Sequence, residues 1–223
     1  MTLHEYPNID QGTEEWHDLR RGMVTASSVG RLLTSTGRVA DNDYSRALTM
    51  QLVAERITGW TEPTFITSDM WRGIDDEPRA RDKYSETYAP VTEVGYLVRD
   101  DWGWSLGYSP DGLVGDDGLI EVKSRKPKKH LQTILADEVP AENMAQLQCG
   151  LLVSGRAWID YLSYCGGMPM YRKRVYPDSR WFAAIEEAVD TFEANAARMV
   201  ADYETATVGL PSTERVLELE MSL

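Results

Sequence analysis

The segment GLIEVKS, residues 118–124, constrains the fold of this chain more than any other stretch of it. Side chains alternate across a β-strand, so Leu119, Glu121 and Lys123 would share one face. Ile120 and Val122 would point to the opposite face, into the core. The segment therefore predicts a strand that carries both signs of charge on one face and apolar residues on the other. An ordinary strand with one face in water would show the same alternation.

A second carboxylate lies close by in the sequence. Asp111 stands in SPDG, where proline and glycine predict a turn that can aim its side chain. The return from this turn is short enough to bring Asp111 and Glu121 together. Two carboxylates can hold Mg²⁺, which prefers oxygen ligands and keeps waters, and the carbonyl of Val122 could add a ligand. Lys123 could then orient or deprotonate an attacking water and offset charge on phosphoryl oxygens.

Periodicity along the rest of the chain predicts helices around a central mixed sheet, which is an α/β fold. Thr13 and Thr25 are expected to begin short helices, and Gly155 to end a later one. The expected helices cover residues 12–22, 25–34, 44–58, 67–88, 141–155 and 179–204. The other expected strands lie within 91–100, 102–110, 156–165 and 168–177, as two hairpins that turn near residues 101–103 and 166–167.

Size and composition limit the classes of protein that this chain can join. A chain of 223 residues, 42% of them hydrophobic, is expected to form one domain over residues 1–223, with a loosely attached tail after about residue 209. No apolar run is long enough to span a membrane, and the N-terminus does not read as a secretory signal, so we expect a cytoplasmic protein. Two cysteines are too few for a disulfide framework, a four-thiolate zinc site or a cysteine-ligated iron–sulfur cluster.

A cluster of positive charge follows the strand directly, in a chain whose formal net charge is -13. The overall charge repels phosphate, but a local basic groove could still bind a nucleic-acid backbone without reading its sequence. A solvated loop is the alternative for any one of these side chains. The cluster consists of Arg125, Lys126, Lys128 and Lys129.

Four motifs together resemble the YqaJ family of phage recombination exonucleases, the lambda exonuclease type of PD-(D/E)XK nuclease. Asp-x9-Glu-x-Lys, in SPDG and LIEVKS, resembles the metal-binding core of that superfamily. EEWHDLRRGMVTASSVG resembles the family's N-terminal motif, and WRGIDDEPRARDKY its helix with a glycine four residues before a glutamate. NMAQLQCGLLVSG resembles the helix that carries a core glutamine. The motifs appear in family order and imply a restriction-endonuclease-like core.

The resemblance implies a role for each matching residue. Lys123 would activate or position water, and Gln146 would help to hold the lysine, the water or the scissile phosphate. A wedge that splits the duplex end would include Met70 or its neighbour Trp71. The implied metal ligands are Glu77, Asp111, Glu121 and the carbonyl of Val122. The implied pocket for a terminal 5′-phosphate consists of Arg20, Ser27 and Ser109.

Each of these residues also has an ordinary structural interpretation. Glu77 could face water on a charged helix, and Gln146 could lie on the surface. Arg20 could pair with a helix C-terminus, and Ser27 could cap a helix. Met70 and Trp71 could form a buried core pair.

The activity that the resemblance implies is Mg²⁺-dependent 5′→3′ digestion of one strand of duplex DNA to mononucleotides, which leaves a 3′ overhang. Two Mg²⁺ ions are expected, with Mn²⁺ able to substitute. The expected partners are duplex ends, two further copies of the chain in a ring-shaped trimer, and a single-strand annealing recombinase in a phage-infected or lysogenic bacterium. Alternatives are a structure-specific or RecB-like endonuclease, a nuclease that also cuts RNA, and a non-catalytic DNA-end-binding scaffold.

Overall fold

The computed structural model describes residues 2–63 and 65–215. Its helices are α1 (Glu14–Arg20), α2 (Ala26–Val29), α3 (Asp43–Thr58), α4 (Ser68–Thr87), α5 (Pro127–Ala136), α6 (Ala141–Ser154) and α7 (Ser179–Ala206), with a 3₁₀ turn at Gly30–Leu32. Its strands are β1 (Leu3–Tyr6), β2 (Val24–Thr25), β3 (Tyr96–Arg99), β4 (Leu106–Tyr108), β5 (Gly112–Val114), β6 (Gly118–Ser124), β7 (Trp158–Tyr164) and β8 (Tyr171–Val175). The predicted α/β class is confirmed.

The strands form two four-stranded mixed sheets rather than the single central sheet expected from the sequence. The first has the order β1-β3-β4-β2 and the second β5-β6-β7-β8. In the second sheet β6 pairs in parallel with β7, and the other pairs are antiparallel. An isolated bridge between Thr92 and Leu113 joins the segment before β3 to β5. The two sheets thus meet at the turn that carries Asp111.

Three of the expected helix boundaries are confirmed, each by a local signal. The Thr13 side chain accepts a hydrogen bond from the backbone N–H of Trp16 at the start of α1. Thr25 forms a capping box with Ser28 before α2. Gly155 ends α6 in the left-handed conformation that glycine adopts without steric cost.

The strand β6 is buried on both faces, which corrects the expectation of one core face and one polar face. Ile120 and Val122 pack with Tyr84 and Ala80 of α4 in one cluster. Leu119, on the opposite face, lies in the larger core formed by the two sheets and helices α2, α3, α6 and α7. Glu121 and Lys123 therefore lie on a face that continues directly from the main core.

Within residues 2–63 and 65–215, none of the helices is both long and apolar enough to cross a membrane. The segment from Leu210 to Arg215 contains no helix or strand, and the remainder of the tail expected to be loosely attached, residues 216–223, lies outside the described residues.

Candidate active site

Asp111 and Glu121 come together where β5 begins beside β6. The backbone N–H of Val122 donates a hydrogen bond of 2.6 Å to Asp111 Oδ2, which fixes the turn against the strand. Burial raises the pKa of Asp111 well above its usual range, and the charges of Glu121 and then Glu77 raise it further. Two carboxyl groups therefore lie together in a place with little water, where the charged form of Asp111 is disfavoured and a bound cation would stabilise it.

Three side chains donate hydrogen bonds to Glu121, whose exposed fraction is 1%. Lys123 Nζ and Gln146 Nε2 both reach its Oε1, at 2.7 and 2.5 Å, and the Tyr108 hydroxyl reaches its Oε2 at 3.3 Å. Burial acts to lower the pKa of Lys123, but the charges of Glu121 and then Asp111 raise it above its usual value. Lys123 is thus held against Glu121 and lies beside both carboxylates.

A close approach of helix to sheet brings Gln146 into this cluster. On α6, Gly150 lies against the ring of Tyr108, so close that an added Cβ would come within 2.8 Å of the ring. Glycine is needed wherever backbone and ring approach so closely. Gln146, one turn earlier on the same helix, is thereby brought over Glu121, and the surface interpretation of this glutamine is wrong.

Glu77 lies nearby on α4 but is held by another partner. Arg81 donates a hydrogen bond of 2.7 Å to Glu77 Oε1 and also pairs with Glu93. Burial raises the pKa of Glu77, Arg81 opposes the rise, and the charge of Glu121 adds to it. Glu77 is half-buried and paired, so the interpretation of it as a carboxylate that faces water is wrong.

The donor set fits Mg²⁺ through a pair of carboxylates rather than through a complete cage. Among the described residues, no three histidine, cysteine, aspartate or glutamate side chains are grouped so that they could hold a metal ion. The structure thus does not place Glu77 with the other two as a third ligand. Asp111 and Glu121 remain a pair of oxygen donors whose like charges repel each other. Mg²⁺ commonly binds to one or two carboxylates and keeps several waters.

The three residues expected to bind a 5′-phosphate meet around Trp16, which is 8% exposed. The Arg20 guanidinium stacks 3.7 Å from the centroid of the Trp16 ring, and its Nη2 donates to Ser27 Oγ at 3.3 Å. Trp16 Nε1 donates to Ser109 Oγ at 2.9 Å. Thr25, not Ser27, caps α2, and Arg20 makes these side-chain contacts instead of closing a helix end. The pocket therefore combines a planar cation with hydroxyl groups.

The basic cluster lies at the N-terminal end of α5, and acidic neighbours pair with much of its charge. Lys126 pairs with Asp69 at 3.0 Å, and Lys129 with Glu142 at 2.6 Å. Arg125 donates to Asn143 Oδ1 at 2.7 Å. Lys128 is exposed in the first turn. Lysines at this end of a helix oppose its dipole by about 0.3–1 kcal/mol each, so the helix gains no stability from their position.

An open apolar groove of about 770 Å³ runs between α1 and α4 toward Glu77. Met70 lines it and is 45% exposed, while its neighbour Trp71 is 56% exposed and does not line it. The interpretation of Met70 and Trp71 as a buried core pair is therefore wrong. Other apolar side chains that line the groove are Trp16, Trp60, Ile66 and Ile74.

Several residues of the site were not singled out from the sequence. Tyr108 and Arg81 reach the carboxylates from β4 and α4, and Trp16 links the parts of the phosphate pocket. The sequence offered one signal for Trp16, its place in the N-terminal motif. For Tyr108 the only signal was its position three residues before Asp111.

Comparison with known proteins places this chain in a family. The pattern of the YqaJ-like viral recombinase domain matches residues 15–157. An alkaline exonuclease from Laribacter hongkongensis, LHK-Exo, is similar at 33% identity and a TM-score of 0.80, over 89% of this chain and 100% of that chain. The structure of LHK-Exo in complex with dAMP is similar at 32% identity, with the same coverage and TM-score.

A phage-related exonuclease from Haemophilus somnus 129PT shares the fold, with a TM-score of 0.64 at 11% identity over 81% of this chain and 96% of that chain. None of the curated proteins compared with the chain matches it significantly. The domain match spans residues 16–153, the segment that carries the four motifs. The chain therefore belongs to the YqaJ-like viral recombinase family.

Proposed function

We propose that this protein is a Mg²⁺-dependent exonuclease that digests one strand of duplex DNA from its 5′ end, releases mononucleotides and leaves a 3′ overhang for recombination by strand annealing. Nuclease activity as such follows from the family and from the similarity to LHK-Exo. The metal, the direction of digestion and the recombination role are the proposed parts.

One observation carries the catalytic part of the proposal. Glu121 is buried beside Asp111 and accepts hydrogen bonds from both Lys123 and Gln146. Burying carboxylates together costs stability, and such pairs are typical of sites where a cation or a reaction requires them. A nuclease site provides such a requirement.

The residues of the site have complementary roles in phosphodiester hydrolysis. Asp111, Glu121 and the carbonyl of Val122 would hold Mg²⁺, or Mn²⁺ in its place. One or two such ions would supply Lewis-acid chemistry at the scissile phosphate. Lys123, as an ammonium, orients the attacking water and offsets the charge that develops on the phosphoryl oxygens. Gln146 fixes Glu121 and presents its amide to the same space.

The pocket around Arg20 supports dependence on a 5′ end. A guanidinium with neighbouring hydroxyls suits a phosphate dianion, because it offers charge and several donors at once. Ser109 lies two residues before Asp111, so a phosphate held there lies next to the reacting carboxylates. An internal phosphodiester carries one negative charge fewer, and the pocket would bind it more weakly.

The surroundings of the site support an approach of duplex DNA. Lys128 and the paired cations beside it place positive charge at the start of α5, where backbone phosphates would bind without sequence preference. Met70 is exposed in the groove that leads to Glu77 and would contact an unstacked base pair at the duplex end. Trp71 lies outside the groove, so the proposal gives this role to Met70.

The expected partners extend the same proposal. A ring of three copies would retain DNA by enclosing it, which is compatible with a net charge of -13 on each chain. A single-strand annealing recombinase would coat the overhang inside the bacterial cell. Sedimentation of the protein alone tests the ring, and a stable monomer with undiminished processivity would contradict it.

End-labelled linear duplexes with a 5′-phosphate or a 5′-hydroxyl test the proposed activity. In Mg²⁺, the phosphorylated strand should shorten from its 5′ end while its complement remains intact. Covalently closed circular DNA and duplex RNA of equal length are the controls, and both should stay uncut. Internal nicking of the circle would contradict the proposal and favour an endonuclease on the same core.

A further inference from the structure

The loop between α1 and β2 is held in place by two consecutive residues of α3. Gly22, at the centre of this loop, adopts a φ of +65°. Its backbone N–H donates to Glu55 Oε2 at 2.9 Å, and its carbonyl accepts from Arg56 Nε at 2.7 Å. Side chains of α3 thus bind both the backbone N–H and the backbone carbonyl of Gly22.

Glu55 is 7% exposed, which is unusual for a carboxylate. Gln51, one turn earlier on α3, donates to its other oxygen at 3.2 Å. The charge of Glu55 also acts on the phosphate pocket. Burial lowers the pKa of Arg20, whereas Tyr96 and then Glu55 raise it. Glu55 therefore accepts a hydrogen bond from the loop that follows Arg20, and it favours the charged form of the Arg20 guanidinium.

Arg56 is in turn fixed by the long C-terminal helix. Its Nη1 and Nη2 donate to the two oxygens of Glu193 at 2.6 and 2.7 Å, and its guanidinium lies 5.0 Å from the centroid of the Phe192 ring. Two parallel bonds of this kind fix the direction of an arginine side chain. The carbonyl of Gly22 is thus connected through Arg56 to α7.

We propose that Glu55 and Arg56 are positioning residues for the 5′-phosphate pocket, and that they set how strongly the enzyme prefers a 5′-phosphorylated end. The loop they hold and β2 lie between Arg20 and Ser27 in the sequence, and Arg20 Nη2 is 3.3 Å from Ser27 Oγ. Releasing either end of Gly22 would let these two groups move apart. The proposal rests on the 5′-phosphate pocket proposed above.

The test is the ratio of initial digestion rates on 5′-phosphorylated and 5′-hydroxyl duplexes in Mg²⁺. Misplacing a positioning group by about 1 Å costs on the order of 100-fold in rate, so Glu55→Ala should lower the ratio by about tenfold or more. Glu55→Gln should keep the ratio within about threefold of wild type, because its amide oxygen can still accept from Gly22. Because each ratio is internal to one preparation, partial unfolding cancels from it.

Val53→Ala is the matched control, since Val53 lies on the same helix and is 3% exposed in the main core. It should lower stability but leave the ratio unchanged. If Glu55→Ala does not fold, Arg56→Gln makes the same test from the carbonyl side and should lower the ratio in the same way. Fluorescence anisotropy of the two duplexes in EDTA gives a second readout. In each variant that lowers the rate ratio, the difference in affinity between the phosphorylated and the hydroxyl duplex should become smaller.

Arg20→Ala separates failure of this inference from failure of the proposed function. If wild type prefers the phosphorylated end and Arg20→Ala removes the preference, while Glu55→Ala and Arg56→Gln retain it, the positioning role is overturned and the pocket stands. If wild type has no preference, or Arg20→Ala retains it, the pocket is overturned and the inference with it. Loss of the preference in Arg20→Ala, Glu55→Ala and Arg56→Gln, but not in Val53→Ala, supports both.

Discussion

Removing the buried carboxylate of Asp160 should destabilise the protein strongly, although Asp160 lies outside the catalytic cluster. Asp160 is fully buried on β7. It accepts hydrogen bonds from Arg174 Nε and Nη2 at 2.8 and 2.9 Å, from the Tyr84 hydroxyl at 2.7 Å and from Arg172 at 3.3 Å. These bonds join α4 to the second sheet two helical turns beyond Glu77.

The size of the effect follows from what Asp160→Ala leaves behind. Removing one partner of a buried ion pair costs about 3–5 kcal/mol. The lower end applies, because the side chains of Arg172 and Arg174 are 35% and 34% exposed and can turn to water. The Tyr84 hydroxyl, on a residue that is 1% exposed, is left without its acceptor. We therefore expect a loss of about 3 kcal/mol in the free energy of unfolding.

Thermal unfolding followed by circular dichroism measures this loss. For a chain of this length about 1 kcal/mol corresponds to about 2–4 °C, so Tm should fall by about 6–12 °C. Tyr84→Phe, which removes one donor and keeps both arginine partners, should cost about 1 kcal/mol. Asp41→Ala, which removes a carboxylate that pairs with Arg46 on the surface, should change Tm little.

Two results would refute this reasoning about the Asp160 network. One is a loss of less than about 1 kcal/mol in Asp160→Ala, which would mean that the arginines and Tyr84 find equally good partners elsewhere. The other is a loss in Tyr84→Phe as large as that in Asp160→Ala, which would mean that the ring of Tyr84 and not the carboxylate joins α4 to the sheet.

Three further predictions concern the site. Burial, and then the charges of Glu121 and Glu77, raise the folded-state pKa of Asp111. The protonated carboxyl group therefore contributes fully to stability below the ordinary aspartate pKa of about 3.9, and this contribution is lost as pH rises toward the folded-state value. Asp111→Asn should therefore raise the Tm of the protein in EDTA at pH 7 and abolish the rise in Tm caused by Mg²⁺; an unchanged Mg²⁺ response would place the metal elsewhere. Gln146→Ala should lower kcat by about 100-fold with little change in KM, measured by steady-state digestion, and a change in KM alone would make it a binding residue. Lys128→Gln should weaken duplex binding equally for all sequences and reduce the slope of log affinity against log salt by about 1, and a sequence-dependent loss would argue against a backbone contact.

Long periodic segments made most of the fold predictable. The expected helix over residues 67–88 is confirmed as Ser68–Thr87, and the expected hairpin near residues 166–167 as β7 and β8. Short strands were missed, among them Leu3–Tyr6 and Gly112–Val114, because three or four residues carry too little alternation to be recognised. The division into two sheets depends on pairing between distant strands, which no local pattern encodes.

The helix α5 shows a different limit of prediction from sequence. Pro127 at its first position is a typical helix start, but the lysines that follow are unfavourable at that end of a helix. The charge pattern also could not show which cations are paired. Asp69 and Glu142 come from other helices to pair with Lys126 and Lys129, so the free positive charge is smaller than the sequence suggested.

For the site, spacing indicated which residues carry the chemistry but not what holds them. The interval between Asp111 and Glu121 sufficed to predict that their carboxylates meet. Nothing in the sequence indicated that Arg81 would hold Glu77 away from a three-carboxylate group, or that Glu55 would bond the loop after Arg20. Such partners come from helices far apart in sequence, and only the packed fold brings them together.

The central claim is that Asp111, Glu121 and Lys123 form the centre of a metal-dependent DNA nuclease. The most direct measurement is the rate at which wild type and Lys123→Met release nucleotides from a linear duplex in Mg²⁺, with duplex affinity measured in parallel in Ca²⁺. Loss of the ammonium removes water orientation and charge stabilisation together, so the rate should fall by about 1,000-fold or more while the affinity changes by no more than about threefold. A variant that keeps a tenth or more of the wild-type rate would contradict the claim.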